Sequence, residues 1–282
     1  MSGGRAAPGG AVERSVHGGP GPVFDLTDRV VAVIGAGGGI GRAVAEASAA
    51  QGAVVACLDL NEEGASETAA GIEERGGAAE SGGVDILDGA RVTEVLEDLV
   101  RRRGRLDGVV CTPGLNVRKP LLDYTADEFD RVIAVNLKGS FHVVRAAGRI
   151  MRRAGRGSIV LFASIRARVV EPGQSVYAAS KAGVVQLVRT AAAELGPAGV
   201  RVNALAPGVV ETPLTAPIKA HPDWYGAYAA RNALGRWARP EEMAGPTVFL
   251  LSDAASYMTG SVLYVDGGWT AIDGRFQPPG MG

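Results

Sequence analysis

Cysteine is nearly missing from this chain, with only Cys57 and Cys111 among 282 residues. That excludes a small scaffold held by disulfides, and two unpaired thiols fit a reducing cytoplasm. Charge of one sign is lacking too. The formal net charge is −1, which gives no general attraction to nucleic acid or to an anionic membrane. No apolar run approaches the roughly 18 to 20 residues of a membrane-spanning helix. Nor do the 3 histidines stand at metal-ligand spacing with other donors, so no metal is expected.

What is present is glycine, 41 residues, in a chain that is 46% apolar. That apolar fraction suits a globular protein. Residues 1–23 are rich in glycine and proline and hold no apolar core. They read as a disordered tail, without the apolar stretch of a secretory signal. Residues 274–282 form a short extension with Arg275 and Phe276 as anchors. Between them, residues 24–273 read as one domain.

Within that block, short apolar runs alternate with longer helical patterns. Strands are expected at 30–34, 53–58, 82–84, 108–111, 158–163, 201–205 and 262–265. Their runs are nearly continuous in apolar character, as in strands covered on both faces. Helices are expected at 41–51, 62–75, 90–103, 126–154, 175–195 and 240–251. This alternation predicts an α/β fold, a doubly wound parallel seven-stranded sheet. The arginine clusters 101–103 and 152–156 fall at helix C-termini, where positive charge complements the helix dipole.

The first strand runs into a glycine-rich turn that opens a helix, at Gly35, Gly37, Gly38, Gly39 and Gly41. Such a turn lets backbone approach a pyrophosphate, and the helix start offers it free N–H groups. The spacing fits Gly-x-x-x-Gly-x-Gly and, through Gly38, equally Gly-x-x-Gly-x-x-Gly. Asp59 ends the second strand, 18 residues after Gly41, where a carboxylate can accept from both ribose hydroxyls and would repel a 2′-phosphate. NAD is therefore expected over NADP. Asp85, closing the third strand, is placed to meet the adenine.

Tyr177 and Lys181 are four residues apart, on one helical face. A tyrosine hydroxyl titrates near 10, too high for work near neutrality. A neighbouring ammonium and the positive nicotinamide of bound NAD would favour the phenolate, making Tyr177 a general acid/base for an alcohol–ketone pair. Ser164 follows an apolar run, at the C-terminal sheet edge where open α/β sheets bind ligands. Asn136 interrupts a long helical pattern, and its amide could hold a bend and a water leading to Lys181.

The chain resembles the short-chain dehydrogenase/reductase family of one-domain type. The matching residues are Gly35, Gly39, Gly41, Asp59, Asp85, Asn136, Ser164, Tyr177, Lys181, Pro207-Gly208 and Val265-Asp266-Gly267-Gly268. The resemblance implies a tetrad in which Tyr177 transfers the proton and Ser164 holds the substrate oxygen. Lys181 would bind the nicotinamide ribose and lower the tyrosine pKa, and Asn136 would anchor a relay water. It further implies a cofactor site including Ile40, Ile86, Gly114, Pro207, Gly208, Val210 and Thr212. Two departures are Ile34, where the family usually has threonine, and Cys111-Thr112-Pro113-Gly114, where it usually has Asn-Asn-Ala-Gly. Thr112 or a water must then tie the neighbouring strands together. A homotetramer or dimer through helices 126–154 and 175–195 is also implied. The tail at Arg275 and Phe276 is expected to reach a neighbouring subunit's pocket.

Loops past the sheet edge carry Asn116, Arg118, Arg166, Arg168, Glu171 and Gln174, and a flexible lid is expected over 213–234 with His221, Trp224 and Tyr225. Asn116, Arg118, Arg166, Gln174 and Trp224 are the candidate substrate contacts; His221 reads as lid surface. Several arginines and amides suit a polar, carboxylated partner. The loop 114–120 is similar to that of gluconate 5-dehydrogenase-like members, which implies a sugar acid or polyol. The alternatives are a ketoreductase of a less polar cyclic or acyl ketone, an epimerase or dehydratase, or a dinucleotide-sensing regulator without turnover. Too few residues follow Pro207 for the larger substrate domain of the epimerases, and such regulators tend to lack the tyrosine or lysine.

Overall fold

The computed structural model describes residues 23–272. The expectations for residues 1–22, and for the extension 274–282 with Arg275 and Phe276, lie outside the described residues. Seven strands, β1 (Val30–Ile34), β2 (Val54–Asp59), β3 (Ala78–Gly83), β4 (Gly108–Cys111), β5 (Gly157–Phe162), β6 (Val200–Pro207) and β7 (Val262–Val265), form one parallel sheet. Their order is β3-β2-β1-β4-β5-β6-β7. The order reverses between β1 and β4, and that switch point opens a crevice at the C-terminal strand ends.

The helices are α1 (Gly39–Ala50), α2 (Glu62–Glu74), α3 (Gly89–Arg103), α4 (Ala126–Ile133), α5 (Ser140–Ala154), α6 (Ser175–Leu195), α7 (Ala216–Lys219), α8 (Pro222–Ala230) and α9 (Glu241–Leu251). Strand β1 shows how both sheet faces are served. Val30, Ala32 and Ile34 join the core under α3, α5 and α6, while Val31 and Val33 join the core under α1, α2 and α9. Successive side chains point to opposite faces, so a strand covered twice is apolar throughout.

Two elements differ from expectation, and a third gains detail. The third strand is Ala78–Gly83 rather than 82–84. It is the sheet edge, held to β2 by backbone pairing, so its alanine, serine and glycine side chains carry little strand signal. The pattern 126–154 is helical throughout but is divided into α4 and α5 by a π-helical turn, Ala134–Gly139. Asn136 sits inside that turn. The expected lid folds as a short 3-10 turn, Pro213–Thr215, followed by α7 and α8. Trp224, Tyr225 and Tyr228 of α8 join Ile165, Trp237 and Trp269 in a third apolar cluster.

Thr112 does tie the strands. Its hydroxyl, just after β4, donates to the Ile34 carbonyl of β1 at 3.1 Å. The cluster 101–103 is neutralised locally: Arg101 and Arg102 meet Asp98, and Arg102 and Arg103 meet Glu80.

Candidate active site

The glycine turn is built for close approach. A Cβ at Gly41 would stand 1.9 Å from the Gly35 carbonyl oxygen, and Gly35 itself has φ +95°. Gly39 is also left-handed, at φ +50°. A Cβ at Gly38 would meet nothing within 4 Å, because Gly38 faces the open cleft. Gly35 and Gly39 are thus required by conformation and Gly41 by space, while a Cβ at Gly37 would crowd the Asp59 carboxylate at 2.9 Å. Helix α1 has Gly38 at its N-cap, with no side-chain cap and no acid in its first turn. Its positive end is therefore free for an anion.

The cleft at this turn measures about 530 Å³ and is lined by every residue singled out for the cofactor: Gly35, Gly39, Ile40, Gly41, Asp59, Asp85, Ile86, Gly114, Tyr177, Lys181, Pro207, Gly208, Val210 and Thr212. Asp59 accepts from the Gly37 N–H at 2.8 Å through one oxygen and from the Asn61 N–H at 2.9 Å through the other. The carboxylate is thereby fixed at the rim, with lone pairs left for a diol. Leu60, Val84, Thr112, Pro113, Leu115 and Val135 also line the cleft. Of these, only Thr112 and Pro113 were noted from sequence, and as a departure rather than as cofactor contacts; the apolar others next to strand ends look like ordinary core.

These features fit a nicotinamide dinucleotide: an uncapped helix start beside a cradle that a side chain at Gly38 would fill, and a fixed carboxylate one strand away. Gly35 to Gly41 would hold the pyrophosphate and Asp59 the adenosine ribose.

Ser164 and Tyr177 stand at a junction. Both line the dinucleotide cleft and also a second cavity of about 390 Å³. Burial pushes the Tyr177 hydroxyl above its ordinary value, opposed first by a hydrogen bond with Ser164 and then by the Arg166 charge. Lys181, the cation expected to lower it, lies with Nζ 5.7 Å from the Tyr177 ring centre and donates to the Phe162 carbonyl at 2.8 Å. Burial pulls this ammonium down to about 8. In the protein alone, then, serine and arginine oppose the rise of the tyrosine pKa, whereas the sequence pointed to lysine.

Asn136 is wholly buried. Its Oδ1 accepts from the Leu115 N–H at 2.7 Å, and its Nδ2 donates to the Leu115 carbonyl and to Ser180 Oγ, both at 2.9 Å. Ser180 in turn donates to the Tyr177 carbonyl at 2.7 Å. Both amide N–H groups are thus spent on protein rather than on a water leading to Lys181. The residue fastens the loop after β4 to the turn of α6 that carries Tyr177 and Lys181.

The second cavity holds all five candidate substrate contacts, Asn116, Arg118, Arg166, Gln174 and Trp224. It also has an apolar wall of Ile165, Val209, Leu214, Pro217 and Ile218, with Tyr228. The polar end is organised by Glu171, which sequence reasoning noted only as a loop acid. Arg118 donates to its Oε1 at 2.6 Å, Gln174 to its Oε2 at 2.8 Å, and Arg166 and Tyr228 also donate to this carboxylate. Arg118 and Arg166 are thereby partly neutralised. His221 is exposed beside Trp224, and Arg168 is exposed, stacked over Tyr264.

A family model described as enoyl-(acyl carrier protein) reductase matches residues 35–270. The chain is 39% identical over 251 residues to a D-threitol dehydrogenase of Mycolicibacterium smegmatis, covering 88% of this chain and 95% of that protein. It is 40% identical over 248 residues to a cis-4-hydroxycyclohexanecarboxylate dehydrogenase of Sinomonas cyclohexanicum, covering 88% and 98%. A crystal structure from Beutenbergia cavernae, described as an NAD(P)-dependent gluconate 5-dehydrogenase with NADP bound at low occupancy, superposes with a TM-score of 0.85. It is 42% identical and covers 89% of this chain and 100% of that one. With these matches running through the crevice, the glycine turn and the Tyr177–Lys181 helix, the chain belongs to the short-chain dehydrogenase/reductase family.

Proposed function

We propose that this protein interconverts a secondary alcohol and a ketone on a small polar substrate, with Tyr177 as general acid/base and NAD as the preferred dinucleotide. One observation carries the reading: Ser164 and Tyr177 border both cavities, so a carbinol in the second cavity lies against the mouth of the dinucleotide cleft. A nicotinamide dinucleotide bound in that cleft supplies the hydride acceptor or donor.

Ser164 presents a hydroxyl to the substrate oxygen, and Tyr177 takes its proton on oxidation or returns it on reduction. The positive charge of an oxidised nicotinamide nearby favours the phenolate, adding to the pull of Ser164 and Arg166. Lys181, inside the cleft wall, serves the ribose of the nicotinamide end. Asn136 acts through others, holding Leu115 and Ser180 so that α6 presents Tyr177 and Lys181 correctly.

The cavity walls support a small ring or short chain with one polar end. A sugar acid or polyol meets Arg118, Gln174 and Asn116, and a cyclic alcohol suits the apolar wall at Ile165, Leu214 and Ile218. The dehydrogenases of threitol and of hydroxycyclohexanecarboxylate among its relatives fit that range. Asp59 favours NAD, because its carboxylate would repel a 2′-phosphate. A homotetramer or dimer through α4, α5 and α6 accords with the exposed Phe129 of α4 and Phe141 of α5. A reducing compartment accords with the buried, unpaired Cys57 and Cys111.

The test is turnover. Purified protein with NAD and a panel of polyols, hydroxy acids and cyclic alcohols should raise absorbance at 340 nm. Silence across the panel together with tight NADH binding would establish a dinucleotide sensor instead.

A further inference from the structure

We propose that Glu171 determines substrate charge: it holds the polar end of the second cavity at a single positive charge and so selects hydroxy compounds bearing one carboxylate. This rests on reading that cavity as the alcohol–ketone site.

Arg118 and Arg166 both line the cavity, and both pair with Glu171. Two guanidiniums against one carboxylate leave one positive charge. Neither arginine is spent. Each gives Glu171 a single terminal nitrogen, and among the described residues no other carboxylate meets either of them. Arg118 lies 4.9 Å over the Trp224 ring and Arg166 5.3 Å over the Trp269 ring, so aromatic faces fix both planes. The remaining N–H fork of Arg118 is suited to a substrate carboxylate.

The charge count decides which substrates gain. A monocarboxylate brings the cluster to neutrality, whereas a neutral polyol leaves it positive and a dicarboxylate makes it negative. In a partly desolvated cavity such mismatches are not screened as they are in water. Glu171 is neither near the reacting carbon nor among the groups that move the proton. Its place is at the opposite end, where it also holds Tyr228 of α8.

The experiment compares wild type, Glu171→Gln and Arg118→Gln on cyclopentanol, 4-hydroxycyclohexanecarboxylate and tartrate, as neutral, singly and doubly charged probes. Turnover is read at 340 nm, and binding of each probe to the NADH-loaded protein by titration calorimetry. Glu171→Gln should raise the preference for tartrate over cyclopentanol at least tenfold relative to wild type. Arg118→Gln, which removes one cation and keeps Glu171 paired with Arg166, is the independent variant should Glu171→Gln fail to fold, and should lower the preference for the monocarboxylate by a similar factor.

Equal changes on all three probes would show a merely structural carboxylate and overturn the proposal, with turnover of the wild type leaving the oxidoreductase reading intact. Charge-selective binding without turnover of any alcohol would overturn that reading instead.

Discussion

Asn136 and Leu115 exchange two hydrogen bonds, side-chain amide against backbone peptide, at 2.7 and 2.9 Å. The π-helical turn brings this about. It sets a buried amide across from the loop after β4, next to the Ser180 hydroxyl that caps back onto Tyr177. Replacing Asn136 by alanine leaves the half-buried Leu115 N–H and carbonyl without their protein partners. About 1–3 kcal/mol of stability should be lost for such a group, with turnover falling further than cofactor affinity. Chemical denaturation alongside NADH titration checks both.

Asp59 should set cofactor choice. Its carboxylate is held by the Gly37 and Asn61 amides at the rim of the cleft, where it would meet a ribose diol and repel a phosphate. Asp59→Ala should shift the ratio of kcat/KM for NAD over NADP towards NADP by about tenfold, or ~1.4 kcal/mol. A wild type that already prefers NADP would refute the assignment.

Lys181 gives a pH signature. Burial lowers its folded value to about 8 from 10.5, so between those values the unfolded chain binds more protons at this site. Its contribution to stability therefore rises with pH across that window. The difference in denaturation midpoint between wild type and Lys181→Met should move in favour of wild type from pH 8 to pH 10. A flat difference would mean that the folded and unfolded lysine titrate alike.

Much of this was legible in the sequence, for physical reasons. Strands covered on both faces must be apolar throughout, so β1 and β4 could be bounded to the residue. Edge strand β3 could not, because only Ala79 of Ala78–Gly83 is buried in the core, beside an exposed alanine, a glutamate, a serine and two glycines. Gly35 and Gly41 announced themselves because only glycine fits there. The role of Glu171 was hidden. A loop carboxylate carries no periodicity, and only the folded chain shows Arg118, 53 residues away, reaching it. The two-sided use of Asn136 was hidden in the same way.

A cavity wall that is half apolar should make α8 matter for substrate and not for dinucleotide. Trp224→Ala removes the ring beneath Arg118 and should raise KM for the alcohol by about tenfold, given ~0.5–2 kcal/mol for a partly desolvated cation over an aromatic face. The Kd for NADH should stay within a factor of two or so. Parallel loss of NADH binding would place α8 in the cofactor site.

The central claim is that a hydride crosses between the two cavities while the Tyr177 hydroxyl carries the proton. It is tested most directly with an alcohol deuterated at its carbinol carbon. Wild type with NAD should produce NADH bearing the deuterium, and Tyr177→Phe should do so about 10² to 10⁴ times more slowly with NADH affinity retained. Transfer at an undiminished rate in Tyr177→Phe, or NADH formed without the label, would contradict it.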